Sequence, residues 1–174
     1  MKKFEPVQGR SIPMNRADVD TDQIISKEFL KRIERTGFGP FAFDDWKQDP
    51  DFVLNNPAFK GAPLMVTGPN FGCGSSREQA VSCLKGHDLI IVANDFARIF
   101  LQNGINLGLR MIACPGIEAN EGDELEITAD AVVNKTSGKQ FKVDPMPRSR
   151  QVIIDAGGLI PYTRKRVVEK AGAA

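Results

Sequence analysis

Residues 63–94, PLMVTGPNFGCGSSREQAVSCLKGHDLIIVAN, decide the fold. "PLMVT" is a short apolar run of the kind that forms a buried strand. A loop crowded with small residues follows, with Gly68, Gly72, Gly74, Cys73, Ser75 and Ser76. "SSREQAVSCLKG" reads as a helix ending at Gly86, where a left-handed C-terminal glycine is expected. "DLIIVAN" is a second buried strand. Beyond it, "DFARIFLQNGINLGL" (95–109) predicts a helix with Asp95 placed to cap it, and "RMIACP" (110–115) a third strand. Strand–helix–strand–helix–strand at this spacing implies two right-handed βαβ crossovers and a small parallel sheet.

Working outward, "VQGRSIPM" (7–14) alternates enough to be a strand closed by Pro13. "NRADVDTDQIIS" (15–26) is rich in Asp and Asn and points to a helix starting near Asp22. Residues 27–62 are rich in phenylalanine and carry the only tryptophan, Trp46, among glycines, prolines and asparagines. A long aromatic connection of that kind reads as a folded loop or functional lid. Downstream, "DELEITAD", "AVVNKTSG" and "KQFKVDPM" read as three short strands, and residues 149–172 as one or two closing helices. The expectation is one α/β domain over 1–174, a small parallel sheet with a β-rich flank.

Composition narrows the function. With 23 basic and 22 acidic residues the formal net charge is +1, which argues against nucleic acid or a membrane surface as partner. The densest basic cluster, Arg164-Lys165-Arg166, reads as a solvated helix face. Apolar runs such as "LIIVA" fall far short of about 20 residues, so no membrane span is expected. "MKKFEPVQGR" has two lysines without an apolar stretch behind them, and no signal peptide is expected. Cys73, Cys83 and Cys114 are odd in number and show no C-x-x-C pair, so neither a disulfide framework nor a self-contained metal site is expected. A cytoplasmic chain is the resulting expectation.

The glycine loop fails three known signatures. No lysine follows its second glycine as a phosphate loop requires, Arg77 stands where the dinucleotide pattern needs glycine, and G-x-S-x-G is absent. Ser75 and Glu78 at this spacing form a capping box, which would account for both without any ligand. It leaves Arg77 unexplained, because a cation in the first turn opposes the helix macrodipole by about 0.3–1 kcal/mol. A guanidinium beside free N–H groups suits an anion between them. The loop thus predicts a carboxylate or phosphate site facing a serine.

"NFGCGSSREQA" resembles the serine loop of the aconitase superfamily, and "GRSIPMNRADVDTDQII" its upstream Asp-bearing segment. "FLKRIERTGFGPFAFDDW" and "DFVLNNPAFKGA" resemble the small-subunit family of bacterial 3-isopropylmalate dehydratases. "ANDFARIFLQNGINLGL" and "AGGLIPY" match again near the end, so the resemblance runs in order along nearly the whole chain. It implies a swivelling β/β/α domain that closes over the active site of a separate large subunit, as a heterodimer or heterotetramer. That partner is expected to carry a [4Fe–4S] cluster whose open iron takes the substrate hydroxyl; this chain is expected to bind no metal or cofactor itself. The implied reaction is a hydro-lyase isomerisation of 2-isopropylmalate and 3-isopropylmalate through an alkene, in leucine biosynthesis. Gln79 replaces a histidine usual in the bacterial family, and the C-terminal part resembles shorter archaeal small subunits. A related hydro-lyase acting on citraconate, dimethylmaleate or homoaconitate therefore stays open, as does a non-catalytic anion-binding module.

By the same resemblance Ser75 is the catalytic base, Arg77 and the Ser76 backbone N–H hold a substrate carboxylate, and Asp22 is an active-site aspartate. Asp22 also reads as a helix cap. Thr21 is expected to support it at the substrate, and Lys31 to reach a second carboxylate. Substrate choice is expected from a recognition loop at about 26–46. An isopropyl group there gains about 2.4 kcal/mol at about 0.8 kcal/mol per buried carbon. Phe29, Leu30, Ile33 and Phe38 are its apolar residues, with loop core as the alternative role for each. Cys73 reads as a small buried residue and His87 as a turn residue.

Overall fold

The computed structural model describes residues 6–34 and 36–172. The lysine pair read against a signal peptide lies outside the described residues. In chain order the elements are β1 (Val7–Met14), α1 (Thr21–Ile24), α2 (Asp44–Lys47), β2 (Leu64–Thr67), α3 (Glu78–Lys85), β3 (Ile90–Ala93), α4 (Arg98–Leu107), β4 (Met111–Ala113), β5 (Glu124–Ile127), β6 (Ala131–Asn134), β7 (Gln140–Lys142), α5 (Arg148–Asp155) and α6 (Leu159–Ala171). Four 3-10 turns, among them Lys27–Lys31 and Gly39–Phe41, shape the aromatic segment.

The seven strands form one sheet in the order β4-β3-β2-β1-β5-β6-β7. β2, β3 and β4 pair in parallel, as their continuous apolar sequences predict, and β1 joins them in parallel with Ser11–Met14 beside Leu64–Thr67. The other half of β1, Val7–Arg10, pairs antiparallel with β5, and β6 and β7 follow antiparallel. One strand thus joins the parallel sheet to the β-rich flank.

Alternation along the buried strands sorts side chains between two cores. Met65, Ile91 and Ala93 face a helix-side core with Leu84, Phe100, Ile105 and Ile154. Leu64, Val66, Ile90 and Val92 face a second core with Leu125, Ile127 and Val132 of the antiparallel strands. The sheet therefore folds back over itself, leaving helices on one face and strands on the other, which is the expected β/β/α layering.

Residues 27–62 are a folded loop built on aromatic packing. Phe38, Phe43, Phe52 and Phe59 are buried. Phe29 stacks on Phe41 at 4.4 Å, Phe43 on Trp46 at 5.5 Å, and the Arg16 guanidinium covers Trp46 at 4.4 Å.

Several local expectations need correcting. Gly86 has φ −65°, so it is not left-handed; the chain turns on at Asp88 (φ 54°), and the left-handed helix-ending glycine is Gly108 after α4. Asp95 does not cap α4, which starts at Arg98 after Ala97; its Oδ1 instead accepts from the Asn70 N–H at 2.7 Å and braces the glycine loop. α3 starts at Glu78 with Arg77 as an N-cap that makes no side-chain bond, so Ser75–Glu78 is not a capping box. The capping box belongs to α1, between Asp20 and Gln23.

Candidate active site

The glycine loop lies at the C-terminal end of β2, against the start of α1 and the residues between β3 and α4. Three strand-like contacts hold it. The Gly72 N–H donates to Val19 O at 2.8 Å, the Phe71 N–H to Asp95 O at 3.2 Å, and the Ala97 N–H to Phe71 O at 3.0 Å. Gly72 has φ +80° and presses on Phe100, whose Cβ would lie 2.6 Å from an added methyl. Gly74 has φ +84° and presses on the Asp20 carboxyl, so neither position admits a side chain.

Ser75 and Ser76 emerge exposed from this clamp, and Arg77 follows half-buried. Thr21, only 1% exposed, pins both sides of Gly74: its N–H donates to Cys73 O at 2.9 Å and its hydroxyl to Ser75 O at 2.9 Å. The Thr21 and Ser75 hydroxyl oxygens are 3.3 Å apart. The Ser75 carbonyl also accepts the Arg77 N–H at 2.9 Å. With that carbonyl held twice, the chain stays a loop through Ser76 and winds into helix only at Glu78.

Arg77 donates from Nη1 to Ile25 O at 3.1 Å and forms an ion pair with Asp22 through the same nitrogen. Its side chain is 17% exposed against 59% for Asp22, so the guanidinium is anchored and the carboxylate sits on the solvent side. A guanidinium has five N–H donors on three nitrogens, so Nε and Nη2 add donors beyond this contact. Asp22 is the second residue of α1, capped by Asp20, whose Oδ1 accepts the Asp22 N–H at 2.6 Å. The sequence reading missed Asp20; the signal for it was the capping pattern Asp20-x-x-Gln23.

The structure brings Ser75, Ser76, Arg77, Asp22 and Thr21 together across more than 50 residues of chain. Thr21 is buried, with its hydroxyl turned to Ser75. Lys31 is exposed at the end of a 3-10 turn. Phe38 is buried, Phe29 and Leu30 pack half-buried on the helix-side core, and Ile33 is 93% exposed. Among the described residues 26–46, Ile33 is the large aliphatic or aromatic side chain left in solvent.

Cys73 is half-buried rather than buried, its thiol raised above the usual range by burial and by Asp20 and Asp18. Burial pushes the Cys83 thiol up to about 12 and, with Asp144 beside it, the Cys114 thiol up to about 11. Cys83 lies in the helix-side core and Cys114 in the second core, and all three cysteines are free. Among the described residues no group of three or more His, Cys, Asp or Glu could hold a metal ion. Three separated thiols do not fit an iron–sulfur cluster, which needs converging thiolates. His87 is an exposed turn residue whose Nε2 lies 2.7 Å from Gly39 O. No helix among the described residues is long and apolar enough to cross a membrane.

The arrangement is a serine hydroxyl and a braced guanidinium on one turn, and the fold that carries it is shared with known proteins. The family model for the aconitase C-terminal domain matches residues 1–115. The chain is 43% identical over 162 residues to a 3-isopropylmalate dehydratase small subunit from Parafrankia sp., covering 86% of this chain and 83% of that one. It is 39% identical over 179 residues to the small subunit from Bacillus subtilis, covering 94% and 90%. A crystal structure of 3-isopropylmalate dehydratase from Methanocaldococcus jannaschii superposes with a TM-score of 0.82 at 32% identity, covering 98% of this chain and 100% of that one. The chain belongs to the aconitase C-terminal domain family and, within it, to the 3-isopropylmalate dehydratase small subunits.

Proposed function

We propose that this chain is the substrate-closing small subunit of a heteromeric hydro-lyase that interconverts 2-isopropylmalate and 3-isopropylmalate in leucine biosynthesis. The names of its relatives support this substrate, and the term small subunit supports a larger partner. We place the iron–sulfur cluster on that partner, because the cysteines of this chain do not converge. The protein is read as cytoplasmic.

One observation carries the site: Arg77 already holds a carboxylate, that of Asp22, directly after an exposed serine. A diacid substrate offers the same chemistry. Its carboxylate would take the guanidinium donors and the Ser76 N–H, and the exposed Asp22 would move aside or share the cation. Ser75 would then face the carbon next to that carboxylate as general base. With Ser75 ionised beforehand, the C–H bond breaks, an O–H bond forms on the Ser75 alkoxide, and the released electron pair closes the double bond as hydroxide departs with its own pair. The reverse sequence, with water added in the other orientation, gives the isomer.

A serine is a demanding base. Each pKa unit of depression requires about 1.4 kcal/mol, and the N-terminus of α3 supplies at most about 2 kcal/mol. Arg77 and exclusion of water by the partner must supply the remainder, so the isolated chain is expected to show no turnover. The aromatic loop at about 26–46 is proposed to set diacid preference through Ile33, with Lys31 exposed nearby in sequence for a second carboxylate. The whole described chain is proposed to act as one swivel domain.

The test is anaerobic co-purification with the cognate large subunit and an alkene-absorbance assay across candidate diacids. Ser75→Ala is expected to lower kcat by about 10²–10⁴-fold, the usual range for losing a general base. A loss within about tenfold would reject Ser75 as the base. Preference for a citraconate- or homoaconitate-type acid would reject the substrate.

A further inference from the structure

We infer that Thr21 is a positioning residue that acts through Ser75, by supplying one hydroxyl proton to either of two oxygens of that residue. This rests on Ser75 being the base. The Thr21 hydroxyl has a single proton and two acceptors within reach on the same neighbour: Ser75 O at 2.9 Å and Ser75 Oγ at 3.3 Å. While Ser75 is neutral, the Thr21 proton stays on the carbonyl, so the close approach of the hydroxyls has Ser75 donating to Thr21. That points the serine proton inward and its lone pairs outward, toward bulk solvent or substrate.

When Ser75 is ionised, it can only accept. Rotation about the Cβ–Oγ1 bond of Thr21 moves its proton from the carbonyl to the alkoxide without moving a heavy atom. The carbonyl keeps a partner throughout, because the Arg77 N–H donates to it at 2.9 Å. Thr21 can make this change reliably because it is fixed: it is 1% exposed, and its own N–H is bound to Cys73 O. A hydrogen bond to a charged partner is stronger than one to a carbonyl, so the donor favours the ionised base over the neutral one. Its loss is expected to slow turnover about ten- to hundredfold.

Thr21→Val keeps the shape and removes the hydroxyl; Thr21→Ser keeps the hydroxyl. Both are measured as complexes with the large subunit, beside Ser75→Ala. The expected result is a ten- to hundredfold lower kcat for Thr21→Val with KM within about threefold, and rescue to within about threefold of wild type by Thr21→Ser. The acidic limb of the kcat–pH profile should also move to higher pH in Thr21→Val, which a purely structural role would not produce. If the valine variant does not assemble, Thr21→Ala carries the same readouts. Equal losses in the valine and serine variants, an unmoved pH limb, or a change in KM alone overturns the inference. Should Ser75→Ala itself remain active, the base assignment fails instead, and the two failures are distinct.

Discussion

Replacing Gly74 by alanine tests whether the glycine loop is held by a close approach to Asp20. Gly74 has φ +84°, and an added Cβ would lie 2.6 Å from Asp20 Cγ. Gly61 is the control, because it has φ +77° and a Cβ added there would meet nothing within 4 Å. Both variants incur the left-handed strain of a residue with a Cβ, about 1 kcal/mol. Only Gly74→Ala must also displace the Asp20 carboxyl, which caps α1 and accepts the Asp22 N–H, and loss of such a cap costs about 1–2 kcal/mol. The expected destabilisation is about 1 kcal/mol for Gly61→Ala and about 2–3 kcal/mol for Gly74→Ala. At about 2–4 °C per kcal/mol for a chain of this size, Tm should fall by about 2–4 °C and about 4–12 °C respectively. Thermal unfolding of the free subunit by circular dichroism measures both, and the assembled complex should lose activity only with Gly74→Ala. Equal Tm values for the two variants would refute the reasoning, since they would mean that Asp20 is not braced against the loop.

Two further outcomes are expected. Ile33→Asp should leave the unfolding free energy of the free subunit within about 0.5 kcal/mol, because the side chain is 93% exposed. In the complex it should raise KM for isopropylmalate about ten- to hundredfold if the loop covers the isopropyl group, and an unchanged KM removes the loop from substrate recognition. The thiols set an alkaline limit: Cys83 and Cys114 ionise near 9 when unfolded but are pushed up to about 12 and about 11 when folded. Below pH 9 their contribution to stability is complete, and it is lost as pH rises from 9 toward 11–12, because only the unfolded chain releases those protons. Urea midpoints between pH 8 and 11 should fall less steeply in the Cys83→Ala, Cys114→Ala double variant than in wild type, and parallel slopes would contradict the burial of these thiols.

Strand and helix order from residue 63 to 115 was legible because each element carries its own periodicity and its own punctuating glycine or proline. That Arg77 is held in an unusual way was legible for a similar local reason: it stands at a helix start, where the backbone disfavours a cation, and the structure pairs it with Asp22. Which residues gather around it was not. Ser75 does not cap α3, because Thr21, 54 residues away, and the Arg77 N–H hold its carbonyl and keep the chain in a loop up to Glu78. Asp95 braces Asn70 rather than capping α4 for the same kind of reason. Local sequence states what a backbone group could bind; only the folded chain decides which of several competing partners reaches it first. The pairing of Arg77 with Asp22, and the division of β1 between a parallel and an antiparallel neighbour, likewise exist only once the sheet has brought distant segments side by side.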